Sequence, residues 1–131
     1  MHSSYSYSKQ LLSVYKEKVQ NSVPDELPAS LKCFLDYIVE YLYDDSLSVE
    51  DARKACNVKS KNLTSKFSLY MGTTPKQFII EHRIGAAKNL LDETDLTVAQ
   101  VSILVGYSTQ SAFSKAFKNS TGGINPSVWS G

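Results

Sequence analysis

The 131-residue chain carries one structural unit twice, and that duplication limits its fold more than any other feature. Ser48 to Asn57 and Thr97 to Gly106 are both nine-residue steps from a hydroxyl to a turn-former. Ser48-x-x-Asp51 and Thr97-x-x-Gln100 have the form of helix-starting capping boxes, strictly for Gln100 and loosely for Asp51. Asn57 and Gly106 accept backbone angles that strain most residues. After the turns come Phe67 and Phe117, ten and eleven residues on. Gly72-Thr73-Thr74-Pro75-Lys76-Gln77-Phe78 and Gly123-Ile124-Asn125-Pro126-Ser127-Val128-Trp129 then share the pattern G-x-x-P-x-x-aromatic. Each unit therefore reads as helix, tight turn, helix, glycine loop and proline-started helix. One αα-turn is common in any helical bundle. Two in register favour the helix-turn-helix plan, whose second helix enters the major groove of DNA.

The remaining segments are helical as well. Leu11, Leu12, Tyr15 and Val19 predict a short helix over about 8–21, ended by Pro24 and Pro28. Leu31, Phe34, Leu35, Ile38 and Leu42 give a continuous apolar stripe for a helix over about 30–44. Ser48 caps a third helix that stops near Asn57, and a fourth spans about 60–70. Pro75 opens a long helix over 75–92. A sixth runs from Thr97 to Gly106, a seventh over about 108–119, and a last turn starts at Pro126. Nothing reads as a sustained strand, so the fold class is all-α. The chain divides into an N-terminal helix and linker, 1–30, and a domain over 31–131. In that domain the first helix-turn-helix covers about 48–70 and the second about 97–119. The linking helix, roughly 18 residues or about 27 Å, approaches the roughly 34 Å between successive major-groove faces. One monomer thus has the reach to occupy two adjacent grooves.

Charge first argues against a DNA partner, since 14 Lys+Arg face 13 Asp+Glu. Position changes the reading. Residues 59–91 hold Lys59, Lys61, Lys66, Lys76, Arg83 and Lys88 against Glu81 alone, a net of +5. Residues 97–131 add Lys115 and Lys118 with no acid, while Asp36, Glu40, Asp44, Asp45, Glu50 and Asp51 make 31–58 acidic. No apolar run is long enough to span a bilayer, and Met1-His2-Ser3-Ser4-Tyr5 lacks the basic and apolar segments of a signal peptide. Cys33 and Cys56 cannot form a disulfide framework and are expected as free buried thiols in a reducing cytosol.

An enzyme is weakly supported. Cys56 and His82 allow a Cys–His pair to be imagined, but a small buried hydrophobe and a helix-face residue explain them better. No metal-ligand spacing, phosphate loop or carboxylate pair accompanies them, so no cofactor or metal is expected.

Residues 105–118, Val105-Gly106-Tyr107-Ser108-Thr109-Gln110-Ser111-Ala112-Phe113-Ser114-Lys115-Ala116-Phe117-Lys118, resemble the AraC/XylS family of bacterial transcription regulators. The family pattern there is G-F/Y-x-S/D-x-S/Q-x-F-x-R/K-x-F-K/R. Arg83-Ile84-Gly85-Ala86-Ala87-Lys88-Asn89-Leu90-Leu91 is similar to the family's R-x-x-x-A-x-x-L-L segment. The resemblance spans about 31–129 and implies a seven-helix domain with two helix-turn-helix units, to which this chain adds the short N-terminal helix. It implies a cytoplasmic regulator at the bacterial nucleoid, bound to double-stranded DNA.

Carried over by position, the first recognition helix would expose Lys61, Thr64 and Ser65, with Lys59 and Lys66 nearby. The second would expose Gln110, Ser111, Ala112 and Lys115. Gln pairs with adenine, Lys reaches guanine acceptors and an Ala methyl meets thymine. Ser60, Ser108, Thr109 and Lys118 are better suited to phosphates. The first unit departs from the pattern, with Ser65 where a basic residue is frequent and Arg53 where a small one packs on the turn. Residues 1–30 match nothing in the family and are too few for a ligand-binding domain, so the chain resembles a free-standing member or an isolated module. Its 8–21 stripe would serve a dimer or RNA polymerase if outward-facing, as in a protein-interaction module within a larger regulatory complex. Packing on the domain is the favoured use.

Overall fold

In the computed structural model, residues 4–59 and 62–129 are described; they form seven α-helices, one closing 3-10 turn and no strand. The helices are α1 Ser4–Ser22, α2 Ala29–Glu40, α3 Val49–Ala55, α4 Leu63–Met71, α5 Pro75–Glu93, α6 Val98–Leu104 and α7 Gln110–Ser120, followed by the turn Pro126–Val128. The caps behave as their chemistry dictates. Ser48, Thr74, Thr97 and Thr109 each accept a backbone N–H in the first turn of the helix they start, and Thr97 with Gln100 closes a full capping box. Asn57 and Gly106 take φ of 53° and 108° at the two tight turns.

Two boundaries differ instructively from the sequence expectation. α1 has 19 residues and starts at Ser4, so it is not a short helix. Its early turn tolerates a fully buried Ser8 because that hydroxyl donates to the Tyr5 carbonyl at 2.7 Å. α2 stops at Glu40 rather than 44, although Leu42 still reaches the core. The carbonyls of Leu42 and Asp44 instead accept from the Arg83 guanidinium, at 2.7 and 2.8 Å.

Among the described residues there are two cores. One gathers Leu31, Phe34, Leu35 and Ile38 of α2, Ala52 of α3, Leu63 and Phe67 of α4, and Phe78 and Ile79 of α5. The other gathers Ile84, Ala87 and Leu90 of α5, Val101 and Val105 around α6, and Phe113 and Phe117 of α7. α5 therefore gives one half to each. α1 does the same, with Val19 (3% exposed) in the first core and Leu12 (7%) in the second. It runs antiparallel along α5, its Tyr7 hydroxyl near Glu93 and Tyr15 near His82. Gly85 makes the close approach possible: a Cβ there would lie 2.1 Å from the Tyr15 hydroxyl oxygen. The apolar stripe of α1 is thus spent within its own chain.

Burial holds the His82 imidazole below its ordinary pKa of 6.5, with the Glu81 carboxylate opposing. Because the unfolded chain then takes up the proton first, the stability gained from neutral His82 is complete above 6.5 and is lost as pH falls below it toward the folded pKa. A melting series from about pH 7.5 to about 5.5 should show this decline, reduced in His82→Gln.

The cysteine expectation fails. Cys33 of α2 and Cys56, the C-cap of α3, are joined in a disulfide, so neither is free. Cys33 is exposed and Cys56 only half-buried. Disulfides are rare in a reducing cytosol, but a compartment does not decide which side chains a fold brings together.

Candidate nucleic-acid interface

The second unit presents the better-formed outward face. Phe113 and Phe117 are fully buried, which orients the opposite face of α7 to solvent. Gln110, Ser111, Ser114, Lys115 and Lys118 line one open groove of about 500 Å³ along it. Four of these are sequence-predicted positions. Ser114 was missed, although its place midway between Gln110 and Lys118 at four-residue spacing carries the signal. Ala112 is exposed beside them, its amide held by the Thr109 hydroxyl at 3.1 Å. That bond uses Thr109 as an acceptor and leaves its O–H to donate. Ser108 lies outside the helix and its hydroxyl donates to Asp45 at 3.3 Å. A carboxylate therefore stands where a phosphate partner was expected, and Asp45 joins the site unannounced by the sequence.

The first unit is leaner. Thr64, Ser65 and Lys66 are exposed on α4, while Leu63 and Phe67 are buried behind them. Lys59 and Lys66 line a cavity that Ser65 does not. They share it with Ser30, Leu31, Asn57, Val58, Asn62 and Leu63, and it has about 360 Å³ against the start of α2. Ser60 and Lys61 lie outside the described residues. Leu69, 79% exposed, follows Ser65 by one turn, so the outward face here is more apolar than that of α7. Arg53, the odd residue at the turn, pairs with Glu50 and donates to the Val58 carbonyl at 2.9 Å. It holds the turn rather than reaching outward.

The +5 block also shrinks on inspection. Arg83 is buried between the two units, its guanidinium carbon 5.4 Å from the Tyr107 ring centre. Burial lowers its pKa, while Tyr107, Asp44 and Asp45 pull upward. Lys88 sits over Trp129, whose indole N–H donates to Asp92 at 2.9 Å. Those two cations lock helices together instead of facing a ligand. The Cys–His pair is not formed either, since Cys56 is bonded to Cys33 and His82 Nδ1 lies 3.1 Å from the Tyr15 hydroxyl. No group of His, Cys, Asp and Glu able to hold a metal occurs among the described residues, and none of their helices is long and apolar enough to cross a membrane.

Comparison with known proteins agrees with this geometry. A family profile described as a helix-turn-helix domain matches residues 52–130. The Msm operon regulatory protein of Streptococcus mutans is 31% identical over 112 residues, covering 83% of this chain and 40% of that protein. The probable transcriptional regulator LumQ of Photobacterium leiognathi is 31% identical over 84 residues, 64% of this chain and 34% of its own length. The chain thus spans two fifths or less of these relatives. Among solved structures, the C-terminal domain of AraT, a response regulator from Geobacillus stearothermophilus, superposes with a TM-score of 0.72 at 26% identity, covering 78% of this chain and 84% of that one. The DNA-binding domain of AdpA, solved with a target DNA, shares the fold at a TM-score of 0.67 and 22% identity, over 76% of this chain and 87% of that one. Two capped helix-turn-helix units on one linking helix, the matched profile and these relatives lead to one conclusion: the chain belongs to the AraC/XylS family of DNA-binding transcription regulators.

Proposed function

We propose that the chain binds double-stranded DNA as a monomer in the bacterial cytoplasm, with α7 and α4 in adjacent major grooves of one duplex. The observation that carries this reading is the pair of capped helix-turn-helix units attached to the two halves of one 19-residue helix, α5. Gln110, Ser111, Ala112 and Lys115 are the base-reading candidates, joined by Ser114. Thr109 and Lys118 serve the phosphates. In the first unit Thr64 and Ser65 face the groove, with Lys61 and Ser60 by sequence position; Lys59 and Lys66 act at its edge. Burial of the α1 stripe supports a monomer and leaves a contact with RNA polymerase to other surfaces. A family of DNA-binding regulators supports a non-enzymatic role.

Fluorescence anisotropy with a labelled duplex tests the reading. Affinity should fall steeply between low and moderate salt, since each neutralised phosphate contributes about −0.9 to the slope of log K against log salt. Lys118→Ala is expected to reduce that slope by about one, and Lys115→Ala to cost about 1–3 kcal/mol and relax preference at one base pair. Asp45→Asn removes the carboxylate beside Ser108 and should tighten binding about two- to threefold, a gain that fades with salt. Salt-independent binding would contradict the proposal.

A further inference from the structure

The two units anchor their tight turns differently. In the second, Val105 at the C-cap of α6 is fully buried in the core, and Arg83 lies directly beneath Gly106. In the first, the matching residue before Asn57 is Cys56, which is only half-buried and belongs to no core cluster. Its sulfur is instead bonded to Cys33, on the exposed side of α2. Beside this turn lies the cavity of about 360 Å³ between the start of α2 and the start of α4, lined by Leu31, Asn57, Val58 and Leu63. The first unit therefore has a covalent bond where the second has packing, and empty space next to it.

We propose that Cys33 and Cys56 are a reversible redox site, a latch whose closed form docks the turn that leads into α4. The inference rests on the DNA-binding reading, because a DNA-bound regulator works in the reducing cytosol, where disulfides are mostly transient or redox-sensing. Cys33 is the point of attack for an incoming reductant, being exposed. A dithiol's thiolate attacks the Cys33 sulfur and Cys56 leaves as thiolate. The reductant's second thiol then attacks the mixed disulfide, leaving two protein thiols and one oxidised dithiol. In the closing direction a peroxide is the oxidant. The Cys33 thiolate takes one peroxide oxygen to give a sulfenic acid and hydroxide, which takes up the proton released when the Cys33 thiol ionised; the Cys56 thiol then displaces hydroxide from that sulfur, and its own proton completes a second water. With the latch open, only noncovalent contacts such as the Arg53–Val58 hydrogen bond hold the turn; Asn57 and Val58 have the cavity to move into, and α4 is presented less rigidly.

The test equilibrates the full chain in dithiothreitol buffers of graded potential, traps free thiols with a maleimide, and weighs the product. In parallel, anisotropy measures binding to a duplex carrying the selected two-groove site. The proposal expects a single two-thiol transition, reversed by hydrogen peroxide. Binding should weaken on the order of tenfold on reduction, as the docked turn becomes a minor population. Melting should fall by roughly 10 °C, from the lost cross-link. Cys33→Ser should bind like the reduced chain under all conditions. If Cys33→Ser does not fold, the wild-type reduced and oxidised forms, both checked by circular dichroism, decide alone. Trapping that finds two free thiols even after peroxide, or equal DNA binding in both redox states, overturns the latch. So does a bond that stays closed in excess dithiothreitol. Absence of DNA binding in both states would instead overturn the DNA-binding reading, while the thiol trapping still reports on the bond.

Discussion

Gly106→Ala should cost about 3 kcal/mol and lower the melting temperature by roughly 10 °C, from one added methyl group. Two effects combine there. The residue has φ +108°, where an L side chain is strained. The added Cβ would also lie 2.8 Å from Arg83 Nε, whose guanidinium holds the carbonyls of Leu42 and Asp44. Displacing it leaves the buried Leu42 carbonyl unpaired, which costs about 1–3 kcal/mol. Gly72→Ala is the control: φ there is +74° with nothing within 4 Å of the new Cβ, so only the backbone strain, about 1–2 kcal/mol, should appear. If Arg83 is the reason for the difference, Gly106→Ala in an Arg83→Met background should cost markedly less than in the native chain. Denaturant melts of the four proteins in that cycle give the coupling directly. Additive costs would show that Arg83 and Gly106 act independently.

Removing residues 1–24 is expected to have the second large effect. Leu12 and Val19 leave a different core each, and burial of such side chains contributes about 1.5–3 kcal/mol apiece. The consequence for DNA exceeds the lost stability. Without α1 the two units are held by α5 and by the contacts of Arg83 with Leu42, Asp44 and Tyr107 and of Ser108 with Asp45, a smaller seat that prealigns the second groove contact less firmly. Affinity for a two-groove duplex should drop about tenfold or more, while binding to a duplex with only the α7 half-site should change little. Gly85 supplies an internal check. In the full chain Gly85→Ala drives a Cβ into Tyr15 and should destabilise. In the truncated chain Tyr15 is gone, and the same change should stabilise by about 1 kcal/mol through helix propensity. A reversal of sign in thermal melts identifies the α1–α5 seat as its cause, whereas the same sign in both chains would refute it.

The contrast between what the residues announced and what they hid follows from range. The starts of α3 and α6 were legible because capping is local: Ser48 and Thr97 bond to amides three residues away. The α7 face was legible because Phe113 and Phe117 fix which side is inward. Arg83 read as part of a positive field because charge was all the sequence offered, yet its partners are 39 and 41 residues distant. Gly85 and Tyr15 gave no sign of each other, 70 positions apart in the chain, since a hole for a tyrosine looks like any helix glycine. The long-range partnership of Cys33 with Cys56 was hidden in the same way. Ser108 lies near a helix start, where a phosphate is the expected partner, and only folding brings Asp45 within 3.3 Å of its hydroxyl. What joins distant segments escaped, and those joints are what set the two recognition helices relative to each other.

In the proposed mode one chain reads two adjacent major grooves at a fixed separation. Selection of bound duplexes from a random DNA pool tests it most directly, followed by a binding series in which the spacing between the two recovered half-sites is varied base pair by base pair. Two short conserved blocks about one helical turn apart, roughly 10 base pairs centre to centre, are expected, with binding lost when the spacing changes by half a turn. Recovery of a single short block, or tolerance of any spacing, would contradict it.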